Sequence, residues 1–202
     1  MTAASETTRA SSDDFKARLE QLLEPILLMD DPRPSLSAYH DMPYAIFRYD
    51  PEDELPLRKQ VTLLKTRLEQ HGKRVHTISL AQCLHDALSA QRPIADWIDA
   101  EKQNGLEMLV DTIHAVLAEH ASLVDLVAER LPPSPDPKRD LVFITRTGAL
   151  FPVYRTFALL EQLKGKVLAP TILFYPGKLE PPSGLSFMGV LDAEHNYRSK
   201  IF

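Results

Sequence analysis

The chain has 202 residues, 44% hydrophobic and 25% charged, and a formal net charge of −5. That length suffices for one compact core burying roughly 70% of the unfolded chain's surface, and the ordinary globular composition excludes disorder of the whole chain. The charge is uneven: residues 140–202 carry seven Lys or Arg against five Asp or Glu, a net of +2, which leaves −7 for residues 1–139, and neither part has the basic footprint of a general duplex binder.

Residues 1–11 are small and polar and read as a flexible tail ahead of an α/β domain over 12–202. The N-terminus has no apolar segment and ends acidic, so it is not a secretory signal. No apolar run approaches the roughly 18 residues of a membrane span. Ser11-Ser12-Asp13-Asp14 supplies a hydroxyl cap and acids for a helix start. Phe15, Leu19, Leu22, Leu23, Ile26 and Leu27 follow at helical spacing, with Pro25 predicting a kink or an early end. Residues 29–34 form a loop. Tyr44–Tyr49 reads as a strand between Pro43 and Asp50-Pro51. Leu57, Val61, Leu64 and Leu68 make one helical face that ends at Gly72.

Residues 75–79 give a second short strand, and Leu80, Cys83, Leu84, Ala87 and Leu88 a helix after it. Another helix is expected to begin with Pro93 at its first position. The longest periodic segment runs from Leu106 to Val127 and predicts one helix. Four prolines in the six residues 132–137 end it and make 131–139 a stiff connector. Asp140–Thr145 is a nearly continuous apolar strand of the kind covered on both faces. Thr147-Gly148 turns the chain into a helix bearing Val153, Phe157, Leu160 and Leu163, capped by Gly165. Residues 171–175 form the next buried strand, which Pro176-Gly177 is expected to end, and 185–188 add an edge strand. Strands alternating with helices predict an α/β fold with a mostly parallel central sheet of about 4–5 strands flanked by helices. A helical insertion (about residues 80–131) separates strands 2 and 3.

Residues 140–202 hold 9 of the 15 aromatic residues and an ordered set of motifs. These are the run Leu141 to Pro152, then Tyr154-Arg155, Ala158-Leu159-Leu160, Leu173-Phe174-Tyr175-Pro176-Gly177, residues 185–189 and Asn196-Tyr197-Arg198. In combination they resemble the C-terminal third of the BrxB family, small proteins encoded in bacteriophage-exclusion (BREX) gene clusters. Tyr44–Tyr49 followed by acids resembles the same family less specifically. The resemblance implies a bacterial, non-catalytic component of phage defence. It would work beside a large methyltransferase, an ATPase and PglZ, a phosphatase-superfamily protein and the first partner to test.

The residues themselves suggest where such a partner would bind. Ligands of open parallel sheets sit beyond the carboxyl ends of the strands. Arg146-Thr147-Gly148, Tyr175-Pro176-Gly177 and Asp50-Pro51-Glu52 are all expected at that rim. Arg146 offers a planar fork of donors for a carboxylate or phosphate, Gly148 a tight turn, and the following helix, with Arg155 one turn in, free N–H groups. One reading is therefore a partner or anion site of Arg146, Gly148, Arg155, Tyr175 and Gly177. The other is that both arginines pair with internal carboxylates and hold the turn. Tyr197-Arg198 is a second candidate, since Tyr and Arg are enriched in binding hot spots. Its alternative is a tail packed on the sheet with Ile201 and Phe202 buried.

Complete chemical motifs are missing. Gly165-Lys166 and Gly177-Lys178 lack the hydroxyl and preceding glycine of a phosphate loop, and seven glycines supply no dinucleotide fingerprint. Cys83 and His85 diverge on a helix, as do His114 and His120. Asp136-Pro137-Lys138 lies in the proline connector, and no Gly-x-Ser-x-Gly elbow occurs. No cofactor and no enzymatic activity are expected; were a hidden site present, His40 and His195 would be the first to substitute. The lone Cys83 forms no internal disulfide and fits a reducing cytoplasm as a core thiol. Nucleic acid is the alternative partner but not the favoured one, and self-association stays open.

Overall fold

The computed structural model describes residues 14–37, 43–120, 122–181, 184–195 and 199–202. Helix α1 covers 14–27 and α2 Arg33–Leu36. Strand β1 is Tyr44–Tyr49, and a 3-10 turn, Pro51–Asp53, leads into α3, Glu54–Gln70. Strand β2 is Arg74–Ser79. The insertion then supplies α4 (Leu80–Gln91), α5 (Ile94–Asn104), α6 (Leu106–Ala115) and α7 (Leu123–Ala128). Strand β3 is Asp140–Thr145, α8 Thr156–Gln162, β4 Thr171–Glu180 and β5 Gly184–Phe187. The sheet order is β1-β4-β3-β2, all parallel, with β5 antiparallel to the far part of β4.

The central strands are buried on both faces, which is why they read as continuous apolar runs. Alternate residues feed two separate cores. Ile46, Val142, Ile144, Leu173 and Tyr175 face α4, α7 and α8. Ala45, Phe47, Leu141, Phe143 and Phe174 face α1 and α3. Phe174 stacks at a tilt on Phe47 and edge-on to Phe143, with centroids 5.7 and 5.4 Å apart, so one aromatic row ties three strands together.

Several local expectations need correction. Residues 106–127 are not one helix: α6 passes into a π-helical stretch, Val116–His120, and α7 starts afresh where Ser122 Oγ accepts the Asp125 N–H at 3.3 Å. Leu109, Ile113, Val124 and Val127 still pack on the same core. The periodicity therefore reported the buried face, not an unbroken axis. Pro93 precedes α5 as its cap instead of opening it. Pro25 lies in the last turn of α1, just after a π-helical stretch, Leu19–Leu23, whose wider turn accommodates a residue without an N–H, and the helix ends two residues later at Leu27. Finally, Pro176-Gly177 does not end β4. Pro176 occupies the last position opposite β1, facing Tyr49, and from Gly177 onward the strand pairs with β5 instead. A Cβ on Gly177 would lie 2.3 Å from the Ser186 backbone oxygen, so only glycine lets the hairpin close.

The outer side of β1 is covered by the last residues. Ile46 N–H donates to Lys200 O at 2.9 Å, Phe202 N–H to Ile46 O at 2.9 Å, and Arg48 N–H to Phe202 O at 3.0 Å. Phe202 is buried and Ile201 half-buried; Tyr197 and Arg198 lie outside the described residues. At the amino ends of β2 and β3, the buried Asp140 carboxylate accepts from Arg74 Nη2 at 2.5 Å and from the Asp136 N–H at 2.8 Å, and His76 Nε2 lies 2.8 Å away. Burial works to raise the Asp140 pKa, but these hydrogen bonds outweigh it and hold the group below the usual carboxylate range. Among the described residues, no helix is long and apolar enough to cross a membrane.

Candidate functional site

The carboxyl ends of β1 and β3 flank β4 at one edge of the sheet. The chain leaving β1 enters α3 on one face, whereas the chain leaving β3 goes to α8 on the other. The two connections diverge above β4 and open a crevice there, the position where open α/β sheets bind ligands.

Each side chain in the crevice is placed by a local rule. Asp50 follows β1 as the cap of the 3-10 turn into α3, its carboxylate accepting the Glu52 N–H at 3.4 Å. Glu54 is the first residue of α3, where the helix dipole favours a carboxylate. One turn later Arg58 Nε donates to Glu54 Oε1 at 2.8 Å. Tyr49, the last residue of β1, donates its hydroxyl to Glu54 Oε2. Burial, that hydrogen bond and the Glu54 charge push the Tyr49 hydroxyl far above the usual phenol range, so it stays a neutral donor. From β3, Arg146 brings its Nε to 3.8 Å from Glu54 Oε1. Arg146 sits in the left-handed region at φ 60°, a conformation that costs a non-glycine residue roughly 1–2 kcal/mol.

Glu54 is thus the hub of a tyrosine and two arginines. Arg146 remains 42% exposed, and its approach to Glu54, through Nε, is long. Two adjoining cavities of about 240 and 230 Å³ share Glu54, Arg58 and Arg146. The first has an apolar floor of Leu57, Val61 and Phe174. The second is closed by Pro51, Gly148, Pro176 and Met188. Residues from the Asp50, Arg146 and Tyr175 turns therefore do meet at one rim.

The expected residues are not all there. Gly148 lines the second cavity, but its φ is not positive; Arg146 makes the tight turn. Arg155 is one residue ahead of α8, because a 3-10 turn, Thr147–Leu150, and a further turn over 151–153 separate Arg146 from that helix. Arg155 Nη1 pairs with Glu194 Oε1 at 3.2 Å and lines a different cavity of about 430 Å³, with His114, Tyr154 and Gln162. Free N–H groups of α8 accordingly do not face Arg146. Tyr175 is fully buried against Phe187, on the opposite side of β4 from Phe174. Gly177 packs inside the β4–β5 hairpin. His195 lies exposed over Gly184, while His40 falls outside the described residues. Sequence reasoning missed Tyr49, Glu54 and Arg58. Their signal was a strand-ending tyrosine followed by an acid and a base four residues apart on a helix.

Among the described residues, no group of three or more His, Cys, Asp or Glu side chains is placed to hold a metal ion. Cys83 is buried in the core, and burial raises its thiol pKa.

The chain matches the family described as "BREX protein BrxB" over residues 76–201. It is also similar to a curated BREX protein BrxB from Bacillus cereus (strain H3081.97), 23% identical over 165 residues, which cover 79% of this chain and 83% of the relative. No solved structure matches the chain at a significant level.

Proposed function

This chain belongs to the BrxB family and is a component of a BREX phage-defence system, and from that premise we propose that it acts as a non-catalytic adaptor that docks PglZ in the cytoplasm. The observation that carries the reading is the rim. Loops from three strands converge on one crevice, and the crevice presents a half-exposed guanidinium over a preformed apolar hollow. Such an arrangement suits recognition: arginine forks and apolar anchors are what binding hot spots are made of. The hub itself is arranged to hold position. Tyr49 is a neutral donor and Glu54 is engaged by Tyr49 and Arg58, so neither is poised as a nucleophile or general base.

Nucleic acid is the less well supported partner. Duplex binding needs several phosphate contacts, and the cleft offers two arginines, one of them bonded to Glu54. The deciding experiment is size-exclusion chromatography of the tagged chain co-expressed with PglZ. Co-elution in mild salt is expected. Separate elution of PglZ overturns the adaptor reading.

A further inference from the structure

The charge balance and volume of the rim cleft specify what kind of segment it would take. Among the charged side chains lining the two cavities, Arg58 and Arg146 are cationic and Glu54 alone is anionic. Arg58 is bonded to Glu54 at 2.8 Å, so Arg146, at 3.8 Å, carries the uncompensated charge. Its two Nη groups have no acceptor among the described residues, although 58% of its side chain is withdrawn from solvent by the figure of 42% exposed. A guanidinium with its fork open matches the two oxygens of a carboxylate. The single uncompensated guanidinium balances one or two carboxylates and is too little charge for a chain of phosphates.

The hollow beside Arg146 is apolar and small. Leu57, Val61 and Phe174 form its floor, with Thr77 and Thr145 at its sides. At about 240 Å³ it has room for one large side chain.

We propose that this cleft is the receptor for a short acidic–apolar segment of the partner protein, a carboxylate seating on Arg146 and an adjacent aromatic or aliphatic side chain filling the Leu57–Val61–Phe174 hollow. The proposal rests on the adaptor reading for its biological setting but not for its chemistry. Glu54 serves as a positioning residue that fixes Arg58 and keeps the mouth of the hollow in shape. Arg146, which lines both cavities, supplies the specificity.

The test uses methyl NMR of the whole protein, with the Leu57 and Val61 signals as reporters. The probe is the peptide acetyl-Asp-Phe-Asp-amide at millimolar concentration. Saturable shifts at Leu57 and Val61 are expected. Acetyl-Asn-Phe-Asn-amide and acetyl-Asp-Ala-Asp-amide should each bind more weakly by about tenfold or more, the scale of one charge-assisted hydrogen bond or one buried side chain. Arg146→Gln should abolish the preference for Asp over Asn, and Thr77→Phe, a strand-compatible change at an exposed position, should block the hollow. Arg146→Lys, which keeps the charge and loses the fork, should bind at an intermediate level and stands in if Arg146→Gln does not fold. Absence of shifts with the acidic peptide, or equal shifts with its Asn counterpart, overturns the proposal. Retention of duplex DNA that Arg146→Gln abolishes overturns it in favour of phosphate. With PglZ, equal co-elution of wild type, Arg146→Gln and Thr77→Phe overturns the cleft as the docking point while the adaptor reading stands. Peptide shifts without any PglZ co-elution support the cleft and remove PglZ as its partner.

Discussion

Replacing Asp140 by Asn tests whether the amino edge of the sheet is held by charge. The Asp140 side chain is 3% exposed and meets Arg74, His76 and the Asp136 N–H. Stranding a buried ion costs 3–5 kcal/mol, but Arg74 and His76 are 54% and 39% exposed and regain water when the carboxylate is lost. The relevant scale is therefore the roughly 1.5–3 kcal/mol of a hydrogen bond to a charged group. Asn retains an oxygen for the Asp136 N–H, which puts the expected loss near 2 kcal/mol, or about 4–8 °C in Tm for a chain of this size. Urea unfolding followed by the fluorescence of Trp97, the single and buried tryptophan, measures it. Because the folded-state pKa of Asp140 is depressed, its contribution is complete above the unfolded value of about 4 and is lost as pH falls through the lower folded value. The gap between wild type and Asp140→Asn should hold from pH 7 to 5 and shrink below about pH 4. A loss under about 0.5 kcal/mol at pH 7, below the range for such bonds, or a gap that persists unchanged into acid, would refute the reasoning.

Gly177→Ala places a methyl 2.3 Å from Ser186 O and 2.6 Å from Tyr175 Cε1, so it should destabilise by about 1–3 kcal/mol or more in the same urea assay; a neutral result would mean that the hairpin shifts freely. Arg146→Gly relieves the left-handed strain and sacrifices only a long, half-exposed ion pair. Thermal denaturation should show a stability gain of up to ~1 kcal/mol, with loss of PglZ co-elution, and a clear fall in Tm would assign Arg146 to the fold. Cys83 is fully buried with a raised thiol pKa, so a thiol reagent at pH 8 should react only at the rate of protein opening and at once in denaturant.

Much of the architecture was legible because burial on both faces writes itself into β1, β3 and β4 as unbroken apolar runs. The break at Ser122 was not, since Leu109 through Val127 keep one face toward the core on either side of it. Nor was the path of β4. Proline and glycine usually punctuate, but Pro176 and Gly177 fall where the strand exchanges one neighbour for another. At the rim, Arg146 was readable as a strand-end guanidinium. Parity along β4 would have put Tyr175 on the face of Leu173, opposite the Phe174 that floors the cleft. The separation of Arg155 from Arg146 left no mark, as nothing local shows that several residues intervene between Gly148 and α8. The Glu54–Arg58 spacing could be read along α3, but the place of Glu54 as hub became visible only in three dimensions: its partners come from β1, α3 and the end of β3.

The zippering of Lys200–Phe202 onto β1 bears on how the polypeptide matures during synthesis. Strand β1 is hydrogen-bonded on one flank by β4 and on the other by the residues around Ile201, both of which leave the ribosome far later. Until then an apolar strand with two open margins waits in the nascent chain, the long-range pairing that slows folding and invites aggregation. Its sheet seals from the outside only when translation has passed residue 202.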